Sequence, residues 1–184
     1  MLKRGTIRTE LLIVAIVAMG VFALSCEGKP KRKKLTNQKE LKEVSYSFAN
    51  PPKFVKEGEL SFFDKNEKTT KGRFNIEIAD SEKRRIMGLM YRNTMEHDQA
   101  MLFVFETEEI QSFWMRNTLL SLDIVFVNSM NEIVTIHKNT PTLSDQSFRS
   151  EKPSILVVEL LAGTCDSLGI EIGDMIDYNR LTPQ

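Results

Sequence analysis

The chain has 184 residues, 41% of them hydrophobic and 27% charged, with 25 basic and 25 acidic side chains. That length suits one domain with appendages, and a formal net charge of zero removes the electrostatic case for a nucleic-acid partner. Only two cysteines are present, Cys26 and Cys165, so core packing rather than a disulfide framework must hold the fold.

The N-terminus begins with Lys3, Arg4 and Arg8, then runs uncharged from Leu11 to Leu24. About fourteen apolar residues fall short of the roughly twenty a spanning helix needs, so residues 1–25 read as an export signal. Phe22-Ala23-Leu24-Ser25-Cys26 resembles a bacterial lipobox, with Ala23 where Leu is more usual. The Cys26 sulfur would be the nucleophile that accepts a diacylglyceryl group, making membrane lipid the first expected partner. An uncleaved helical anchor and an ordinary signal peptide are the alternatives, and all three place the domain outside the cytoplasm. Residues 26–58 read as the lipid-anchor site and a flexible basic tether, with Lys29, Lys31, Arg32, Lys33 and Lys34 crowded past the cysteine. Such a segment either lies on anionic headgroups or simply spaces the domain from the membrane.

Residues 59–184 read as one globular domain. Residues 59–64 (ELSFFD) suggest a strand, and 73–79 (RFNIEIA) alternate, with Phe74, Ile76 and Ile78 on one face. Asp80 or Ser81 can cap a following helix, on which Ile86, Leu89 and Met90 make a core stripe. Residues 91–99 form a polar loop, 100–105 (AMLFVF) a buried strand, 112–115 a further strand, and 119–127 (LLSLDIVFV) the strongest strand in the chain. A turn at 128–131 leads to a hairpin partner at 132–137. Residues 140–153 form a Ser/Thr/Pro loop, 154–161 (SILVVELL) a buried strand, and 162–168 a short helix ending at Gly169. Gly173-Asp174 marks a turn before the last strand. The pattern predicts an α+β fold: a strand-rich curled sheet or small, partly closed β-barrel with one or two short helices.

Several ordered segments carry a family resemblance: Gly88-Leu89-Met90-Tyr91-Arg92, Met101-Leu102-Phe103-Val104-Phe105, Phe113-Trp114-Met115-Arg116-Asn117-Thr118, Leu122-Asp123-Ile124-Val125-Phe126, Val158-Glu159-Leu160 with Gly163, and Gly173-Asp174. Together they resemble the bacterial and archaeal family named domain of unknown function 192, over roughly residues 74–178. Ala100, Ser121 and Arg116 depart from its usual Gly, Pro and Lys. The resemblance implies a compact strand-rich domain, often exported, and carries no established activity.

Six residues are the ligand-binding candidates. Arg92 offers a planar donor fork for a carboxylate, or serves as a structural ion pair near a helix end. Trp114, the only tryptophan, falls opposite Phe113 and Met115 on an alternating strand. It would stack on a sugar or another planar group beside Arg116 and Asn117, or sit as a core or rim residue. Asn117, with Thr118, would bond a ligand or stabilise a turn. Asp123 and Glu159 interrupt apolar strands, where a carboxylate needs a partner or stays neutral. They would form an acid/base pair for hydrolysis of envelope glycans, or pair with Arg92 or Arg116 or accept backbone N–H bonds to hold the fold.

His97, His137 and Cys165 match no metal-site spacing, so no metal or cofactor is expected. His97 and His137 read as surface residues and Cys165 as half-buried. The chain lacks a G-x-S-x-G elbow, a phosphate-binding Gly loop and an H-E-x-x-H pair. The leading functional expectation is therefore a membrane-tethered module binding a small molecule or glycan. A glycan hydrolase and a structural or assembly protein with no ligand are the alternatives, and protein partners are unspecified.

Overall fold

Alternation of apolar and polar residues builds nine strands in the computed structural model, which describes residues 51–182. The export signal, Cys26 and most of the tether lie outside the described residues. The strands are β1 (Gly58–Phe63), β2 (Thr70–Ala79), β3 (Gln99–Glu109), β4 (Ser112–Trp114), β5 (Leu122–Val127), β6 (Ile133–Thr140), β7 (Ser147–Arg149), β8 (Ser154–Leu161) and β9 (Met175–Arg180). Two short helices complete the domain, α1 (Glu82–Met87) and α2 (Thr164–Leu168).

Seven strands form one sheet in the order β6-β5-β8-β3-β2-β1-β9, and β4 pairs with β7 in a separate ribbon. All pairs are antiparallel except β2 with β3, which α1 connects as a crossover. The sheet curls until its two edges touch. Glu132 bridges to Met175, Ile133 N–H donates to the Asp174 carbonyl (2.8 Å), and Ile176 N–H donates to the Asn131 carbonyl (2.9 Å). The predicted α+β curled sheet is thus the observed fold.

Period-two alternation distributes side chains to two cores. Inside the curl lie Phe62, Phe74, Ile76, Leu102, Val125, Val158 and Leu160. On the outer face Met101, Phe103, Ile124, Phe126 and Val157 pack beneath the β4–β7 ribbon, with Leu89, Met115 and Phe148. Burial on both faces explains why every β5 residue is buried, a pattern typical of strands covered on two sides. Phe113 pins the ribbon in place. Its ring stands edge-on to Phe103 (4.9 Å between centroids), Phe126 (5.8 Å) and Phe105 (6.2 Å), the favoured aromatic geometry.

Some elements differ from expectation for local reasons. Residues 119–121 lie outside β5, because the chain turns at Asn117 (φ 56°) before pairing resumes at Leu122. The 140–153 loop contains β7, whose three residues are ordered by β4 rather than by their own propensity. Residues just before β1 also bond to the sheet. Val55 N–H donates to Glu77 Oε1 (3.1 Å), and Glu57 N–H donates to the Ile76 carbonyl (2.8 Å). These bonds carry the N-terminal end of β1 into the segment that alternation marks as tether.

The predicted core stripe on α1 is the largest local correction. The helix ends at Met87 and buries none of its own residues. Leu89 is in the core, but Ile86 is 58% exposed. Gly88 ends the helix at φ 45°, and a Cβ there would lie 3.2 Å from the Phe103 ring. The early stop turns the apolar face of α1 sideways, away from the sheet. Ser81 is the N-cap but makes no side-chain cap bond, and Asp80 instead pairs with Arg180 (2.7 Å). Glu57 holds α1 to the sheet edge by pairing with Arg84 and accepting from Ile78 N–H (2.7 Å).

Candidate functional site

A pocket of about 280 Å³ opens on the outer face between α1 and β4. Its floor includes Phe103 and Phe105 from β3 and Glu159 from β8. Ile86, Met87 and Trp114 rim the mouth, with exposures of 58%, 41% and 48%. A small concave site lined mainly by apolar and aromatic groups, with few polar ones, is the usual form of a small-molecule pocket.

Sheet register explains how a carboxyl reaches that floor. Glu159 pairs with Met101 on β3 and Ile124 on β5, so apolar neighbours flank it on both sides. The residue is 5% exposed. Among the described residues, no donor and no cation is paired with its carboxyl. Burial pushes its pKa up to about 8, because a low-dielectric site disfavours the charged form. Near neutral pH the group is therefore largely a neutral acid that can both donate and accept a hydrogen bond.

The nearby guanidiniums are committed elsewhere. Arg85 lies over the Phe105 ring (5.2 Å to the centroid) and donates to the Val104 carbonyl (3.0 Å). Arg116 stacks over Trp114 (4.7 Å) and pairs with Asp145 (2.8 Å). Asn117 is a turn residue whose Nδ2 donates to the Tyr91 hydroxyl (3.0 Å).

Arg92 is not part of this pocket. It is buried in an ion pair with Glu77 and borders a different cleft beside residues 51–54. Register removes the alternative of an acid/base pair between Asp123 and Glu159. Asp123 aligns with Leu160, and Glu159 aligns with Ile124. The two carboxyls therefore project to opposite faces of the sheet and share no cleft. Asp123 is fully buried on the inner side, accepting from Asn139 N–H (2.9 Å) and Cys165 N–H (2.9 Å). Neither Arg92 nor Arg116 is the partner of either carboxyl.

Cys165 is fully buried rather than half-buried. Burial and the Asp123 charge push its thiol well above the usual range, which suppresses the reactive thiolate. His137 is half-buried between Phe126 and Phe148 (5.8 and 5.5 Å), while His97 is exposed. Among the described residues no three His, Cys, Asp or Glu side chains form a metal cluster.

Sequence reasoning found Trp114 and Glu159 but missed Arg85, Ile86, Met87, Phe105 and Phe113 as pocket residues. The available signal was the short α1 itself, whose apolar face exceeds what one helical turn and a half can bury. Two buried acids were also missed as anchors. Glu77 holds Arg92. Asp174 accepts from Glu171 N–H (2.8 Å) and Lys65 N–H (3.2 Å) and pairs with Lys71 (2.7 Å).

A pH prediction follows for Glu159. The folded protein holds a proton between about pH 4.5 and 8 that the unfolded chain has released. Wild-type stability therefore falls as pH rises through that window. Glu159→Gln does not titrate, so its stability relative to wild type should rise across the same window. The expected gain at pH 9 is about 1–3 kcal/mol, limited because the buried amide is also unbonded. Denaturant midpoints from pH 5 to pH 9 measure it, and parallel profiles for the two proteins would show that Glu159 does not titrate in this way.

Fold and pocket together define a class: a small domain with a curled mixed sheet, a short ribbon on its outer face and a largely apolar pocket between that ribbon and α1. A family model for DUF192, described as uncharacterised, matches residues 64–178, and the chain belongs to that family. The UPF0127 protein of Pyrococcus furiosus is 28% identical over 120 residues, covering 61% of this chain and 96% of that protein. A Thermococcus sibiricus UPF0127 protein is 29% identical over 112 residues, covering 59% and 71%. A crystal structure from Sinorhizobium meliloti, described as a candidate transcription regulator, superposes with TM-score 0.64 at 34% identity, covering 68% of this chain and 98% of that one. A Novosphingobium aromaticivorans protein of unknown function gives TM-score 0.60 at 28% identity, covering 65% and 83%.

Proposed function

We propose that this protein is an envelope lipoprotein, anchored through Cys26, whose domain is a binding module for a small molecule held in the pocket between α1 and β4. The observation that carries the binding reading is the unpartnered, buried Glu159 carboxyl on an otherwise apolar floor. A buried polar group without a partner costs stability, and such groups concentrate at functional sites. Exposed Ile86, Met87 and Trp114 at the mouth support the same reading, because they form one rim around the cavity rather than scattered single residues. Hydrolysis by Asp123 and Glu159 draws no support from this geometry, since the two lie on opposite faces. The anchor rests on the N-terminal sequence alone.

The test is a thermal-shift screen of the full-length protein against glycans, peptidoglycan fragments, amino acids, nucleotides and apolar acids, alcohols and amines. A compound in large excess over its Kd should raise the melting temperature by several degrees. Ile86→Asp, which alters the rim without touching the core, should abolish that shift. A panel with no hit, or a hit indifferent to Ile86→Asp, would remove the pocket from consideration. Fatty-acid labelling that is lost in Cys26→Ser tests the anchor separately.

A further inference from the structure

Glu159 does more than mark the pocket, because its surroundings specify what would satisfy it. The charged groups that face it can be enumerated by element. On α1, Glu82 is exposed at the mouth, and Arg85 is held over Phe105 and on the Val104 carbonyl. Along the same sheet row, Glu77 lies two strands away and is already neutralised by Arg92. His137 lies two strands away on the other side, held by Phe126, Phe148 and the Arg149 carbonyl. From beside β4, Arg116 is taken up by Trp114 and Asp145. No cation among the described residues is paired with Glu159, while Phe103, Phe105, Phe113 and Trp114 line the same pocket.

Building on the binding reading above, we infer that the pocket takes an apolar primary amine, its ammonium group seated on the Glu159 carboxylate and its body against Phe105 and Trp114. A cation is the complement that this site lacks. An ammonium group supplies the charge and three N–H donors, and aromatic faces attract it further. An anion is disfavoured, since Glu82 and Glu159 both border the pocket and its guanidinium is already engaged. An uncharged apolar ligand would fill the cavity but leave the carboxyl unmatched. The volume of about 280 Å³ fits a ligand the size of a phenylalkylamine or a short alkylamine.

The proton balance follows from the seating. The neutral acid gives its proton to buffer, and the ligand ammonium keeps all of its own, leaving a carboxylate–ammonium pair. With the Glu159 pKa at about 8, binding at pH 7 should release close to one proton. Affinity should weaken more than tenfold from pH 8 to pH 6, because the carboxyl must first ionise.

Calorimetry of the full-length protein tests this with 2-phenylethylamine, 2-phenylethanol and 3-phenylpropionate. Titrations at pH 7 in two buffers of different ionisation enthalpy count the released protons. The expected result is that the amine binds at least tenfold tighter than the alcohol or the acid, with proton release, and that Glu159→Gln loses this preference. The melting temperature of Glu159→Gln shows whether it is folded; were it not, the wild-type proton count and ligand preference still decide. Equal binding of alcohol or acid, unchanged in Glu159→Gln, overturns the amine assignment but leaves the pocket standing. Absence of binding by all three, with no hit in the wider screen, removes both.

Discussion

Arg92→Ala should destabilise the domain by about 3–5 kcal/mol, the usual cost of leaving one member of a buried ion pair without its partner. Arg92 and Glu77 are both nearly inaccessible, and their side chains form the pair on the outer face. Glu77 lies near the C-terminal end of β2, opposite Met101, and is buried, so its carboxylate is left without a counter-charge when the guanidinium is removed. Its Oε1 also accepts from Val55 N–H, which ties residues 51–57 to the sheet. The backbone around Arg92 amplifies the effect. Tyr91 has φ 65°, and its N–H donates to the Asn117 carbonyl (2.9 Å). The ion pair thus helps to hold a loop in a conformation it would not choose alone. Replacing both partners together, as Arg92→Met with Glu77→Leu, should recover most of the loss, because apolar groups of similar size remove the uncompensated charge. Urea unfolding of wild type, the single variants and the double variant measures the cycle. A single variant within about 0.5 kcal/mol of wild type would mean that the pair is not a structural anchor.

The second large effect is expected at Asp123. Asp123→Ala would orphan two buried backbone donors, Asn139 N–H and Cys165 N–H, at about 1–3 kcal/mol each. Asp123 therefore joins three parts of the chain: β5, the end of β6 and the first turn of α2. Helix α2 has only five residues and no side-chain cap bond of its own, so this buried carboxylate and the exposed Lys138–Asp166 pair (2.6 Å) are its polar attachments to the sheet. Asp123→Asn should also cost stability, because an amide retains one acceptor but turns a donor toward one of the two N–H groups. A second readout separates local from global loss. Cys165 lies beside that attachment, buried and with its thiol held protonated. Alkylation of Cys165 should be slow in the wild type and faster in both variants at denaturant concentrations where the domain remains folded. Unchanged stability together with unchanged alkylation would show that Asp123 does not anchor α2.

These two residues show how far sequence pattern reaches. Asp123 and Glu159 look alike in the linear chain, each a single acid within an apolar strand, and that identity of context suggested a catalytic pair. Register makes them opposites. One faces the inner core with two backbone donors, and the other faces the outer pocket without a partner. Arg92 likewise reads in the linear chain as either a carboxylate clamp or a structural ion pair, and only the tertiary structure supplies its partner, Glu77. Alternation left Trp114 open between an exposed stacking residue and a core or rim residue, and the structure places it half exposed at the pocket mouth, because Phe113 and Met115 on either side face the core.

The sequence by itself determined the strand-rich class, the 128–131 hairpin turn, the family and most strand positions. The family follows from the resemblance of ordered motifs spread along the chain, and the other features depend on short-range periodicity and on turn chemistry that a few neighbouring residues encode. It did not reveal the second core, the β4–β7 ribbon or the pocket. Each of these needs segments more than thirty residues apart to meet, as Ser112 meets Arg149 and α1 meets β8 across the outer face. The stop at Gly88 is local, yet its consequence is not. Whether Ile86 and Met87 enter a core or rim a cavity depends on what lies beside them in space, and only the tertiary structure sets Phe103, Phe113 and Glu159 there.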